Sequence, residues 1–151
     1  MTARTVTGTT AIAAIALVAG CSSADTKNDY VDTVNEIQTN ALEAFNQAAA
    51  STPKNKQAMV EQLEVGEAAL ADAVTQLEDV EVPEEAEEGH PALVAGIDDL
   101  RALFESTAED VRAAEGAETF SAVTALASEG EVIGTEIDQA ISQINEDLGA
   151  N

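Results

Sequence analysis

Tryptophan is absent from this 151-residue chain, and aromatic residues make up only 3% of it. A core built around large rings is excluded, so packing has to come from aliphatic side chains and alanine. One cysteine rules out an intramolecular disulfide, and no covalent cross-link can support the fold. A single histidine, His90, excludes any mechanism that needs two imidazoles. Basic residues are scarce: six Lys or Arg stand against 29 Asp or Glu, a formal charge of −23. Such a surface repels the phosphates of nucleic acid and is not drawn electrostatically to anionic lipid headgroups. No alternating run of β-branched residues marks a strand, and the glycines are isolated rather than in turn pairs. High charge with few aromatics can signal disorder. Here 45% of the residues are hydrophobic, and they recur at regular intervals, so an ordered domain is expected.

What is present begins with an apolar run, Ala11 to Gly20, behind a start whose one charge is Arg4. That run is half of the roughly 20 residues a membrane-spanning helix needs, so a permanent transmembrane anchor is not expected. After Cys21 the chain turns polar at once, with Ser22-Ser23-Ala24-Asp25-Thr26-Lys27. A cationic start, a short apolar core and small residues before a cut describe a secretory signal peptide. Val18-Ala19-Gly20-Cys21 further resembles the lipobox of bacterial lipoproteins. That resemblance implies transfer of a diacylglycerol to the Cys21 sulfur and cleavage between Gly20 and Cys21. The chain is then expected to divide into a signal peptide (1–20), a lipidated cysteine with a tether (21–28) and a helical domain (29–151). Removing residues 1–20 takes away Arg4 and no acid, leaving five basic residues against 29 acidic ones, a charge of −24. The expected location is the extracytoplasmic face of a cell membrane, held by lipid, with no cofactor besides that covalent lipid. Two acyl chains anchor stably where one is marginal.

The remainder reads as four amphipathic helices. Tyr30, Val34, Ile37, Ala41, Ala44 and Ala48 step by four and three, predicting a helix over 29–50. Pro53 breaks it, and either Thr52 or Asn55 can cap the next helix. The second helix runs to about Val80 on an uncharged stripe of Met59, Leu63, Gly66, Leu70, Ala73, Leu77 and Val80. Behind Pro83, the acids Glu84, Glu85, Glu87 and Glu88 suit a helix N-terminus, so a third helix is expected from near Glu84. A kink or restart is expected around Gly89-His90-Pro91, and Gly116 is a natural C-terminal cap. Its stripe is Leu93, Ile97, Leu100, Phe104, Ala108 and Val111. A fourth helix, 118–148, offers Phe120, Val123, Ala127, Gly130, Ile133, Ile137, Ile141, Ile144 and Leu148. Gly66, Gly96, Gly130 and Gly134 lie on or beside these seams, which suggests close helix approach. The expected fold is all-α: an antiparallel up-down-up-down four-helix bundle roughly 35–45 Å long.

Chemistry-bearing motifs are few. There is no Gly-rich phosphate loop, cysteine pair or nucleophile-elbow pentapeptide. Glu87 and His90 have the Glu-x-x-His spacing of helical di-iron proteins, but that architecture needs two such pairs and two further glutamates. His90 is therefore expected to be structural or incidental, near solvent at a helix start. Glu84–Glu88 lacks the Asp/Asn-rich, Gly-centred spacing of a calcium loop and reads as a solvated face. Tyr30, Phe45, Phe104 and Phe120 fall on apolar stripes and are expected in the core.

These features point away from an enzyme and toward a membrane-anchored binding or accessory module of the cell envelope, with a protein or peptide partner there. The alternative is a small-ligand or metal-binding lipoprotein with a pocket between helices near 81–92. In composition, and in the opening Tyr30-Val31-Asp32-Thr33-Val34-Asn35, the domain resembles small Ala/Glu-rich helical lipoproteins of high-GC Gram-positive bacteria. That resemblance implies no site residues.

Overall fold

No proline interrupts the chain before Pro53, and the first helix is correspondingly long. In the computed structural model, which describes the backbone of residues 13–49 and 52–149 and the side chains of 25–47 and 52–149, α1 spans Ala13–Ala49. The stretch read as a tether, 22–28, is thus helical in the full chain. Its serines and Asp25 are weak helix formers, yet nothing between Gly20 and Asp29 breaks the backbone ladder. Residues 1–12, which hold Arg4 and the start of the apolar run, lie outside the described residues.

The next helix, α2 (Lys56–Glu78), starts at Asn55. Its side-chain oxygen accepts from the Ala58 amide at 2.8 Å, satisfying one of the donors left open at a helix start. Past α2, the acids behind Pro83 form only a single 3-10 turn, Glu84–Ala86, rather than the first turn of the third helix. The chain restarts as α3 (His90–Ala113), with Pro91 in the first turn, where its missing amide costs nothing. Gly116 does not cap α3, which closes at Ala114. Gly116 instead turns the chain into α4 (Ala117–Leu148) with φ +58°, a backbone region that side chains disfavour.

Cross-helix neighbours fix the topology. A Cβ built on Gly66 would meet Phe104 at 2.6 Å and Phe45 at 3.0 Å, so α1, α2 and α3 approach closely there. Likewise Gly89 faces Ile144 and Gly96 faces Ile137, pairings that run in opposite directions along α3 and α4. The fold is an antiparallel up-down-up-down four-helix bundle, in which each helix packs on the next and the 3-10 turn packs on α4. Gly130 and Gly134 meet no such close neighbour.

Two clusters make the core. At one end Tyr30, Ile37, Ala73, Leu77, Ala86, Leu93, Ala140 and Ile144 join all four helices and the 3-10 turn. At the other end Val60, Leu63, Ala108 and Val111 pack with Met59, Phe104, Ala122, Val123 and Leu126. Leu93 and Val111 are essentially sealed from solvent, and each such side chain stabilises by about 1.5–3 kcal/mol. The second-helix stripe is buried as its spacing predicts, from Leu63 through Gly66, Leu70 and Ala73 to Leu77. Phe120 is the exception among the aromatics. It stands 77% exposed in the first turn of α4, ahead of Ala122, Val123 and Leu126, which do reach the core.

Among the described residues, Lys27, Lys56, Arg101 and Arg112 join one element to another. Lys27 meets Glu85 at 2.7 Å, tying the early part of α1 to the 3-10 turn. Arg101 bridges Asp98, Glu105 and, on α2, Glu67. Arg112 pairs with Glu64, and the Lys56 ammonium donates to the carbonyls of Arg112 and Ala114, where α3 leaves acceptors open. Exposed pairs of this kind contribute about 0–1 kcal/mol each.

Candidate functional site

Two places in the bundle combine unusual chemistry or shape, and they lie at opposite ends. The first is the junction where α2 leaves and α3 begins. Pro91 and the preceding turn swing His90 inward, and its ring is buried rather than near solvent, a correction to the sequence-based expectation. Nε2 of His90 lies 3.1 Å from the Leu77 carbonyl, which can only accept, so Nε2 carries the proton and donates. Nδ1 is then bare in the neutral ring and accepts from the Tyr30 hydroxyl at 3.0 Å. The two rings meet edge to face, with centroids 5.7 Å apart.

Burial pushes the His90 pKa down, partly opposed by the hydrogen bond to Leu77, and burial pushes the Tyr30 phenol up. Both groups are held neutral. The main reason is desolvation by burial. Glu87, the other half of the Glu-x-x-His spacing, is exposed while His90 is buried, so the structure does not bring them together. Beside this junction Lys27 holds the Glu85 carboxyl below its usual range. Pro83, Ala86, Gly89 and His90 are buried while Glu81, Glu84, Glu85, Glu87 and Glu88 are exposed, so the connection 81–92 packs along one side only. A cleft of about 90 Å³ reaches Val80 and Glu81 from the side of Tyr30.

The second place is an apolar cavity of about 360 Å³ at the far end. Phe45 from α1, Pro53 from the connection, Met59 and Leu63 from α2, Phe104 from α3 and Val123 from α4 line it. Asn46 and Gln62 are the polar side chains on its wall, and neither carries a charge. Its floor is the Phe45–Phe104 pair, with ring centroids 5.3 Å apart and planes tilted by 59°. Those rings can settle against α2 because Gly66 has no side chain to displace them. The cavity lies where α1 packs on α2 and makes little contact with α4. Sequence periodicity identifies these residues as inward-facing but carries no sign that they leave a void.

Gly20 and Cys21, the residues of the expected cleavage and lipidation, lie on the α1 backbone before the bundle proper. Their side-chain surroundings fall outside the described residues. Among the described residues, no group of three or more His, Cys, Asp or Glu is placed to share a metal ion. Every buried side-chain nitrogen or oxygen among them has a hydrogen-bond partner. No helix among them is long and apolar enough to cross a membrane. No family model, curated protein or solved structure matches this chain.

Proposed function

We propose that this protein is a lipid-anchored, non-enzymatic binding or accessory module on the extracytoplasmic face of the cell membrane. Val18-Ala19-Gly20-Cys21 supports the anchor, with Cys21 as the acylated residue and Gly20-Cys21 as the cleaved bond. The observation that carries the reading is a polarity in the fold. Residues just after Cys21 run into the closed Tyr30–His90 end, where Lys27 grips Glu85, and the apolar cavity opens at the opposite end. From Cys21 to Phe45, about 24 residues at about 1.5 Å each put roughly 36 Å of helix between the two. A lipid at Cys21 would hold the closed end beside the bilayer and present the cavity outward. The charge of −24 keeps the bundle from lying down on anionic headgroups. Its partner is a protein, peptide or other component of the envelope, and not nucleic acid.

Cys21→Ala tests this in the native cells. The wild-type protein is expected in washed membranes and the variant is expected to be lost from them; a variant that stays membrane-bound sinks the anchor. Affinity capture of the wild-type protein from solubilised membranes is expected to recover a stable envelope partner. A second reading, a small-ligand-binding lipoprotein, is favoured by the far-end cavity rather than by the 81–92 connection.

A further inference from the structure

We infer that the cavity between Phe45, Met59, Phe104 and Val123 is a binding site for one uncharged small molecule with a compact apolar or aromatic body. The inference deepens the second, small-ligand reading and rests on it for biological meaning, though the site itself is independent of the lipid. Three observations select the ligand.

Size comes first. About 360 Å³ falls at the lower end of the range typical of small-molecule pockets. The walls come second. Aromatic faces from Phe45 and Phe104 and a flexible Met59 thioether suit a ring or branched chain, since methionine adapts to irregular shapes. Asn46 offers an amide group to a hydroxyl, carbonyl or amide on the ligand. Charge comes third. No ionised side chain lines the cavity itself; Lys54 and Glu61 line an equally open depression that adjoins it through Pro53 and Gln62. An anionic head would meet the field of a chain at −23, and so would a second copy of the protein. The occupant is a free molecule rather than a bilayer lipid, because roughly 36 Å of α1 separates the cavity from Cys21.

The experiment uses the full chain carrying Cys21→Ala, so that neither detergent nor bilayer competes for an apolar probe. Titration with the neutral fluorophore N-phenyl-1-naphthylamine is expected to give saturable enhancement at a single site. Val123→Phe fills the cavity and is expected to abolish that enhancement with no fall in Tm, because the added ring replaces empty space. Gln62→Trp, at a half-buried rim position, is expected to weaken binding without touching the core, and it serves if Val123→Phe fails to fold. 1-Adamantanol is expected to displace the probe and adamantane-1-carboxylate to fail to do so. Wild-type enhancement that never saturates, or that survives both substitutions, overturns the site; equal displacement by adamantane-1-carboxylate overturns the preference for an uncharged ligand. Neither result bears on membrane anchoring, which the Cys21→Ala fractionation decides separately.

Discussion

The Tyr30 hydroxyl and His90 Nδ1 meet at 3.0 Å across 60 residues of sequence, and both rings are shut away from solvent. With Leu77 accepting from Nε2, the contact fixes the imidazole in one neutral tautomer and ties α1 to the start of α3. It is a polar clasp within an otherwise aliphatic cluster.

Breaking that clasp should be costly. Tyr30→Phe leaves a buried ring nitrogen without its donor, so stability should fall by about 1–3 kcal/mol in urea denaturation at pH 8.

The same pair sets a pH dependence. The folded His90 pKa lies below the ordinary 6.5, so the folded state resists a proton that the unfolded chain accepts. Above pH 6.5 both states are neutral and the group contributes no pH dependence. As pH falls below 6.5 the unfolded chain protonates first, and stability drops until the depressed folded pKa is passed, by at most about 1.4 kcal/mol per pH unit. The many carboxylates also titrate on the acid side, so His90→Gln is the reference. Denaturation curves at pH 8 and 5.5 should show the wild type losing stability relative to His90→Gln; parallel behaviour would mean His90 is not buried neutral.

Burial separates two large apolar residues that sequence spacing treats alike. Leu93→Ala should cost about 2–5 kcal/mol, as a sealed side chain leaves a cavity. Phe120→Ser should change thermal stability by no more than about 0.5 kcal/mol, since most of the ring already faces water. A large loss from Phe120→Ser would show that the first turn of α4 docks more tightly than described.

Gly66→Ala probes the closest three-helix approach. The new methyl would sit 2.6 Å from Phe104 and 3.0 Å from Phe45, so both rings must move. Because their far ends border the cavity, they can swing into it. The expected result is a modest loss of stability, about 1–3 kcal/mol as for other overpacked sites, with reduced uptake of the apolar probe.

Helix number and the buried stripe of α2 were readable because aliphatic residues repeat at helical spacing with the acids set off that line. Two misreadings have the same physical origin: periodicity reports a direction, not a depth. Phe120 extends the α4 stripe, but the neighbouring helices give it no cover. His90 sits among acids and before Pro91, which suggested a wet helix start; its partner Tyr30 lies too far away in sequence for local pattern to reveal. The 3-10 turn was hidden because acids behind a proline fit both a helix start and a single tight turn. The cavity could not be read from spacing at all, because it depends on how four helices and the Pro53 connection meet in space. By contrast, the lipobox resemblance comes from the tetrapeptide alone and would stand whatever fold followed it.

The central claim is that Cys21 becomes the lipidated N-terminus of a bundle facing outward from the membrane. The most direct measurement is the mass of the N-terminal peptide of the protein extracted from native membranes. The account expects a chain that starts at Cys21 and carries the added mass of a diacylglycerol. A chain that begins elsewhere, or an unmodified Cys21, would contradict it.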